Sequence, residues 1–442
     1  MDLTTIVQDV LQYLAAEKIV LSEDLTVAEE QMRAAVLRIG AKALEEHLSG
    51  KKLGYEGSSR PCDSPACRRK HLNQKFVNHR TRTVQTLMGQ LTFKRAYYHC
   101  KHCGRSCCPY DQNVGLGRGQ LSVGLAKAAT LVAAMDPFIP AAKVLHELTG
   151  QRVGDRTVHR VTRQAGKLAS EAERRRALAM AAWSVPAGQV EARPKRLYVA
   201  VDGVMVHREQ WNEAKCVCCY WEEEGEGGRV IRHSRYAVRF ESAEQFKAYV
   251  WSLAMRCGLE SATEVILLGD GAAWIWEHVA GVLGEKGPVV KCITDWYHVM
   301  EHLWACGNTL HGQGTAEATA WVKARETLLW EGRYTQLIAG LDEERKRTRS
   351  LPRHRALAEL SGYLGNQGAR LAYDRFRACG YDIGSGRVES ACKHVVQMRM
   401  KRSGMIWSDE GAQDVLSLRV AYLNQAWQRL WAEKPLLHEN AA

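Results

Sequence analysis

Apolar residues follow two rhythms along this chain. Over residues 191–300 they come as short unbroken runs, such as Leu197-Tyr198-Val199-Ala200-Val201 and Val265-Ile266-Leu267-Leu268. Such runs predict buried strands over 196–206, 264–271 and 289–295, with further strands at 213–221 and 231–240. The segment 242–257 has helical spacing, and Ser242 with Gln245 three residues on is a capping-box start. Over 301–380 the spacing becomes three and four, which predicts helices at 316–330 and 355–379, with the charged run 342–349 crossing solvent between them. Before residue 190, alternation over 80–88 and 91–98 predicts a hairpin turning at Gly89-Gln90. A buried helix is expected over 121–135, two short helices over 141–148 and 156–163, and a helix of mixed charge around 165–182. Gly115 to Gly119 and Pro186-Ala187-Gly188 read as linkers.

Composition adds little until it is mapped. The chain has 442 residues, of which 46% are hydrophobic and 25% charged, an ordinary globular balance. No apolar run approaches the roughly eighteen residues of a membrane span, and no signal peptide is visible. A cytoplasmic, nucleoid-associated bacterial protein without membrane contact is therefore expected. The net charge of +12 is unevenly spread. Residues 1–48 carry four Lys/Arg and nine acids, net −5, whereas 49–110 carry thirteen Lys/Arg and two acids, net +11. A basic segment of that density is a candidate for phosphate contacts.

Cysteine spacing gives the basic segment a second property. Cys62 and Cys67 form a C-x4-C pair, Cys100 and Cys103 a C-x2-C pair, and the predicted hairpin lies between them. Pair, hairpin, pair is the layout of a zinc ribbon, with four thiolates around one structural Zn²⁺. Cys107, Cys108, His71, His99 and His102 are rival ligands. Cys216 and Cys218, on one face of a predicted strand, read as core, as do the scattered Cys257, Cys292, Cys306, Cys379 and Cys392.

The helices at 141–148 and 156–163 are joined through Gly150, with Asp155 as a cap, so they predict a helix-turn-helix. Its second helix carries Arg156, His159, Arg160 and Arg163, candidates for DNA contact.

The strands carry the remaining chemistry. Asp202 lies inside an apolar strand, and Asp270 and Asp295 each end one. A carboxylate in such a place is costly unless it is paired or holds a cation. Glu389 opens a late helix with Lys393 at i+4, and Arg399, Lys401 and Arg402 follow as candidate phosphate contacts. Acid on the first strand, acid after the fourth and acid on a late helix is the order of an RNase H-like core. Two Mg²⁺ (or Mn²⁺) ions on Asp202, Asp270 and Glu389 would suit phosphoryl transfer. The interval from 270 to 389 exceeds what one more strand and helix need, so 301–380 is read as an insertion.

The predicted fold class is therefore multidomain α/β. An N-terminal helical segment (1–48) precedes a zinc-ribbon-like basic module (49–110) and a helix-turn-helix region (111–190). An RNase H-like core follows (191–300 and 381–442), interrupted by an all-helical insertion (301–380).

At this point the sequence resembles the ISKra family of bacterial insertion-sequence transposases, of the DDE class and related to Mutator-like transposases. The resemblance rests on Leu53-Gly54-Tyr55-Glu56-Gly57, Arg95-Ala96-Tyr97-Tyr98-His99-Cys100, Val201-Asp202-Gly203-Val204 and Leu268-Gly269-Asp270-Gly271-Ala272. It continues through Asp295-Trp296-Tyr297-His298, Ile383-Gly384-Ser385-Gly386-Arg387-Val388-Glu389-Ser390, Lys401-Arg402-Ser403-Gly404-Met405 and Trp407. It implies a DDE triad at Asp202, Asp270 and Glu389, with Asp295 and His298 as supporting residues. Asp295 and Asp270 both follow an apolar strand, and either fits the second acid. The resemblance also implies a DNA transposase that binds terminal inverted repeats and target DNA and works as a homodimer or higher assembly. Two other functions suit the same residues: an RNase H-like nuclease without strand transfer, and an inactive zinc-dependent DNA-binding regulator.

Overall fold

The strand and helix rhythms translate, among the described residues, into nine strands and a larger set of helices in a computed structural model. It describes residues 3–16, 20–49, 53–117, 119–181, 190–225, 228–285, 288–384 and 386–432. The predicted linker at Pro186-Ala187-Gly188 lies outside the described residues, as do Arg118 and Ser385. Two compact units form, Met1–Leu168 with Trp427–Ala442, and Ala169–Ala426. Among the described residues no helix is long and apolar enough to cross a membrane.

The first unit begins with α1 (Leu3–Ala16) and α2 (Leu25–Ser49). An antiparallel sheet follows in the order β1 (Ser59–Pro61), β2 (Asn73–Thr86), β3 (Gly89–His99) and β4 (Ser106–Cys107), with the short helix α3 (Pro65–Arg68) after β1. The hairpin turns two residues earlier than its glycine suggests. Thr86 pairs with Gly89, which leaves Leu87 and Met88 as the turn. The Thr86 hydroxyl accepts from the Met88 amide at 3.1 Å and donates to the Gly89 carbonyl at 2.9 Å, so a side chain closes the loop.

A small core of Val84, Phe93, Tyr110 and Leu116 lies against the hairpin, with Tyr110 supplied by α4 (Pro109–Asn113). The glycine-rich segment is tied down, because the Arg82 guanidinium donates to the carbonyls of Gly117 and Gly119. Helices α5 (Val123–Met135), α6 (Phe138–Thr149) and α7 (Asp155–Ala181) follow. Gly150 ends α6 in the left-handed conformation, as expected. The predicted short recognition helix and the mixed-charge helix are one element, α7. Ala165 and Ala169 keep its buried face small and continuous past Gly166. The boundary between units falls within α7, at 168/169, rather than at the predicted 190. The helix Trp427–Ala432, predicted with the core, groups with the first unit, where Lys127 donates to Gln428.

The second unit is built on β5 (Arg196–His207), β6 (Trp211–Gly225), β7 (Gly228–Arg239), β8 (Glu264–Gly269) and β9 (Val290–Thr294), in the order β7-β6-β5-β8-β9. The hairpin pairs are antiparallel, while β5–β8 and β8–β9 are parallel. Alternation sends Leu197, Val199, Val201, Val265 and Leu267 to one face. There they pack with Phe246 and Val250 of α8 (Ala243–Arg256), and with Ile275 and Val279 of a π-helical turn, Ile275–Ala280, that runs into α9 (Gly281–Gly284). Ser242 caps α8 by accepting from the Gln245 amide, as its sequence predicts.

The inserted region is helical as expected: α10 (Trp296–His311), α11 (Ala316–Trp330), α12 (Tyr334–Arg347), α13 (Leu351–Gln367) and α14 (Tyr373–Ala378). Two details differ. The charged run 342–349 is helical through Arg347. Its charges are used across helices: Ser361 donates to Asp342 at 2.9 Å, and Arg325 donates to Glu344 at 2.7 Å. The helix predicted over 355–379 is interrupted at Gly368, whose φ is +52°. The chain closes with α15 (Gly386–Ala391), a π-helical turn Cys392–Gln397, α16 (Met398–Met400) and α17 (Asp409–Leu423).

Candidate functional site

Two groups of side chains emerge, one in each unit. In the first, two tight turns hold four thiols. Cys67 sits in α3, and its carbonyl accepts from the amides of Lys70 and Leu72. Cys100 and Cys103 sit on a turn closed by the Gly104 amide to the Cys100 carbonyl, with Gly104 at φ +68°. Cys62 Sγ lies 3.6 Å from Cys103 Sγ, and Cys67 Sγ lies 3.9 Å from Cys100 Sγ. All four lie within 4.8 Å of one another and can hold a metal ion.

The rivals fall outside this group. His71 and His102 are exposed, and His99 is 2.9 Å from the Ser106 hydroxyl. Cys107 donates to Gln74 at 2.8 Å and accepts from Arg60 at 3.1 Å, while Gln74, itself buried, donates to Cys62 at 3.6 Å. Cys107 therefore stands one residue behind the cluster. Cys108 is half-buried outside it. Of the cysteines expected in the core, Cys216, Cys218, Cys257, Cys306 and Cys392 are buried, Cys292 is half-buried and Cys379 is exposed.

In the second unit, sheet register does the assembly. Val201 pairs with Gly269, and Gly269 with Thr294. The next residues on the three strands, Asp202, Asp270 and Asp295, continue that row. Adjacent strands run about 4.8 Å apart, and alternation turns Asp202, which follows the core-facing Val201, to the opposite face. Their roles differ. Asp295 is buried, and its Oδ1 accepts from the amides of Tyr297 at 2.6 Å and His298 at 3.1 Å, which caps α10. Asp270 is half-buried, its Oδ1 accepting from the Ala272 amide at 2.9 Å. Asp202 Oδ1 accepts from its neighbour's amide, Gly203, at 2.6 Å.

Burial raises the Asp202 carboxyl above its usual range, and the charge of Asp270 raises it further. The Gly203 amide, the Cys392 thiol and His298 act in the opposite direction. Burial also pushes the Tyr363 phenol up, followed by the charges of Asp270 and Asp295.

The inserted helices form one wall of this site. Tyr363 of α13 donates to the Asp270 carbonyl at 2.8 Å, and Gln367 donates to the Gly271 carbonyl at 3.1 Å. Gln367 also accepts from Thr294 at 3.1 Å. The His302 ring stacks on Tyr363 at 4.0 Å and lies 4.9 Å from His298. Gly271 has φ +102°, and a Cβ there would sit 2.8 Å from Gln367 Nε2 and 2.9 Å from the Tyr363 ring. Gly271→Ala is expected to cost ~1–3 kcal/mol, read as a lower urea midpoint by tryptophan fluorescence.

Glu389 reaches the site only by its helix. Cys392, three residues on and so on the same side, bonds to Asp202 and to Cys216, the partner of Asp202 across β5–β6. Glu389 and Lys393 are exposed. Among the described residues, Asp202, Asp270 and Glu389 do not form a group with ligand atoms within 4.8 Å of one another; only the four cysteines do.

Lys401 and Arg402 are exposed, but Arg399 is fully buried, 4.8 Å over the Trp407 ring, which corrects its expected place on the surface. On α7, Arg156, His159 and Arg160 are exposed and Arg163 is half-buried. The His159 ring packs edge-on against Phe138 at 4.7 Å. Sequence reasoning missed Cys392, His302, Tyr363 and Gln367. The signals were there for two of them, His298–His302 at i+4 and Glu389–Cys392 at i+3.

Comparison with known proteins adds one family. The profile described as "Uncharacterised protein family (UPF0236)" matches residues 65–434. A Streptococcus gallolyticus protein described as "UPF0236 protein in vanSb 3'region" is 23% identical over 350 residues, covering 78% of this chain and 73% of its own length.

Proposed function

The chain belongs to the family described as UPF0236, and we propose that it is a DNA transposase resembling the ISKra insertion-sequence enzymes. The supporting observation is the register row that sets Asp202 beside Asp270, with the helix of Glu389 fastened to Asp202 through Cys392. A five-stranded sheet with antiparallel hairpin pairs and parallel β5–β8 and β8–β9 pairs supports reading the core as RNase H-like.

Two neighbouring carboxylates, one raised by burial and further by the charge of the other, are a donor set that fits a divalent cation. Asp202 and Asp270 would hold Mg²⁺ or Mn²⁺, and Glu389 would join from α15. When bound, such ions activate the attacking oxygen and stabilise the leaving one. The chain's own residues do the positioning. Asp295 fixes the start of α10 and thereby His298, and Tyr363 and Gln367 hold the turn that carries Asp270. Lys393, Lys401 and Arg402 present exposed cations for phosphates along the helix after Glu389 and just beyond it.

In the first unit, metal–sulfur bonds of about 2.3 Å put tetrahedral sulfurs ~3.8 Å apart, which suits a structural Zn²⁺ on Cys62, Cys67, Cys100 and Cys103. With the exposed Arg156, His159 and Arg160 of α7, this basic unit would bind the terminal inverted repeats. Joining two ends requires a dimer or higher assembly, working at the nucleoid in the cytoplasm.

The test is strand transfer by the full-length protein with Mg²⁺, on DNA carrying the element's pre-cut ends. Joined product that requires Asp202, Asp270 and Glu389 is expected. Cleavage without joining would replace the reading by a nuclease. DNA binding without either would replace it by a regulator.

A further inference from the structure

All thirteen tryptophans lie from Trp183 onward, and one of them sits in an unusual place. Trp330 ends α11, remains 45% exposed, and lines a cleft of about 790 Å³ together with Trp296, Tyr297, Tyr381, Arg387 and Ser390. Exposed aromatic side chains are ordinarily free to turn. These are fixed. The Arg377 guanidinium lies 3.4 Å over the Trp330 ring, and Trp296 meets that ring edge-on at 5.3 Å. Trp296 is held in turn by Tyr373 at 4.9 Å, interplanar angle 85°. Tyr297, 63% exposed, is pressed by the backbone at Gly384, where a Cβ would lie 2.5 Å from its ring. Two flat apolar plates thus face solvent without rotamer freedom to lose on binding.

The mouth of the cleft is polar, with the Arg387 guanidinium near the Asp382 carboxylate. Arg387 and Ser390 are exposed and flank Glu389 on the same helix. Residues 386–402 hold five Lys/Arg against one acid, net +4. Rigid aromatic plates beside a guanidinium are the chemistry that takes a nucleobase and its phosphate. The volume is that of an ordinary ligand site.

We infer that this cleft seats one unpaired nucleobase of the DNA strand being processed, stacked on Trp330 and Tyr297, with its phosphate at Arg387 and Ser390. This rests on the DNA-acting reading above, and deepens it by naming the part of the substrate held beside Glu389. An unpaired end costs nothing to splay, whereas a paired base must first leave the stack. The cleft therefore favours DNA with frayed or single-stranded ends over blunt duplex.

The experiment uses the full-length, zinc-loaded protein without added Mg²⁺ or Mn²⁺, so that cleavage plays no part. The probes are a single-stranded oligonucleotide and a duplex with a two-nucleotide unpaired end, each carrying one 2-aminopurine, with a blunt duplex as reference. Stacking quenches 2-aminopurine. The wild type is expected to quench it and to prefer the unpaired end. Trp330→Ala is expected to lose the quench and about 10-fold in affinity for the unpaired end, leaving blunt duplex unchanged. Trp330→Phe, which keeps a plate and the packing, should retain most of both, and Arg387→Gln should weaken binding while the quench persists at saturation.

An unchanged quench in both Trp330→Ala and Tyr297→Ala overturns the inference. So does an equal loss on all three DNAs, or a change in sedimentation in place of fluorescence, which would make the cleft a protein contact. A protein that quenches the probe but never cleaves DNA with Mg²⁺ removes the transposase reading and keeps the cleft. One that cleaves without a Trp330-dependent quench removes the cleft alone.

Discussion

Asp202→Asn is expected to abolish Mg²⁺-dependent DNA cleavage, by about 1,000-fold, while making the Mg²⁺-free protein more stable at neutral pH. The two effects share a cause. Asp202 is a carboxylate within a buried strand with Asp270 as its neighbour, and both burial and that neighbour raise its pKa in the folded state. A carboxyl that binds its proton more tightly when folded favours the native state most at pH below its ordinary value. That contribution is lost as pH rises through the raised folded value. At neutral pH the fold carries a charge that burial, and then the charge of Asp270, disfavour. Asparagine keeps the shape and removes the charge.

Urea or thermal unfolding of the zinc-loaded protein without added Mg²⁺ across pH 4–8 should show a steeper fall of stability with rising pH for the wild type than for the variant. Added Mg²⁺ should stabilise the wild type and leave the variant unmoved. A variant that is less stable without Mg²⁺ and still cleaves when Mg²⁺ is added would make Asp202 a structural residue, and the functional reading would fall with it.

Cys62→Ser and Cys100→Ser are each expected to lose bound zinc and the folded ribbon together. Structural zinc sites contribute on the order of 10–16 kcal/mol of apparent binding free energy, and in a small module that energy is folding energy. The apolar group beside the hairpin, Val84, Phe93, Tyr110 and Leu116, is too small to replace it. Metal content of the purified variants and loss of DNA binding measure the effect, and a chelator should reproduce it on the wild type. Cys107→Ser, one residue behind the cluster, should keep one zinc per chain. Full zinc content in both Cys62→Ser and Cys100→Ser would retire the site.

The sheet was legible because burial on both faces writes itself as unbroken apolar runs, so β5, β8 and β9 were predicted to within a few residues. The choice between Asp270 and Asp295 was not legible, for a physical reason. Both continue the same row across parallel strands, so a local pattern treats them alike. They differ in burial and in backbone partners: Asp295 is buried and accepts from two amides of α10, whereas Asp270 is half-buried and accepts from the Ala272 amide. Arg399 misled because charge on a helix reads as surface, and only the fold brings Trp407 beneath it. Helix α12 was missed because just two of its residues, Leu337 and Leu341, are buried, too few to outweigh the charged run in a periodicity count. The contacts of Tyr363 and Gln367 with the Asp270 turn span more than ninety residues, and no spacing rule reaches that far.

The helix Trp427–Ala432 belongs to the unit of residues 1–168, although residues 169–426 come between them in the chain. Trp427 and Trp431 are buried there. During synthesis the ribosome must therefore deliver all of the second unit before the first can close. A nascent chain stalled in the second unit holds the basic residues that would grip DNA but not the helix that completes their unit. Order of translation thus makes the finished first unit a late product, assembled only by chains in which the second has already been made.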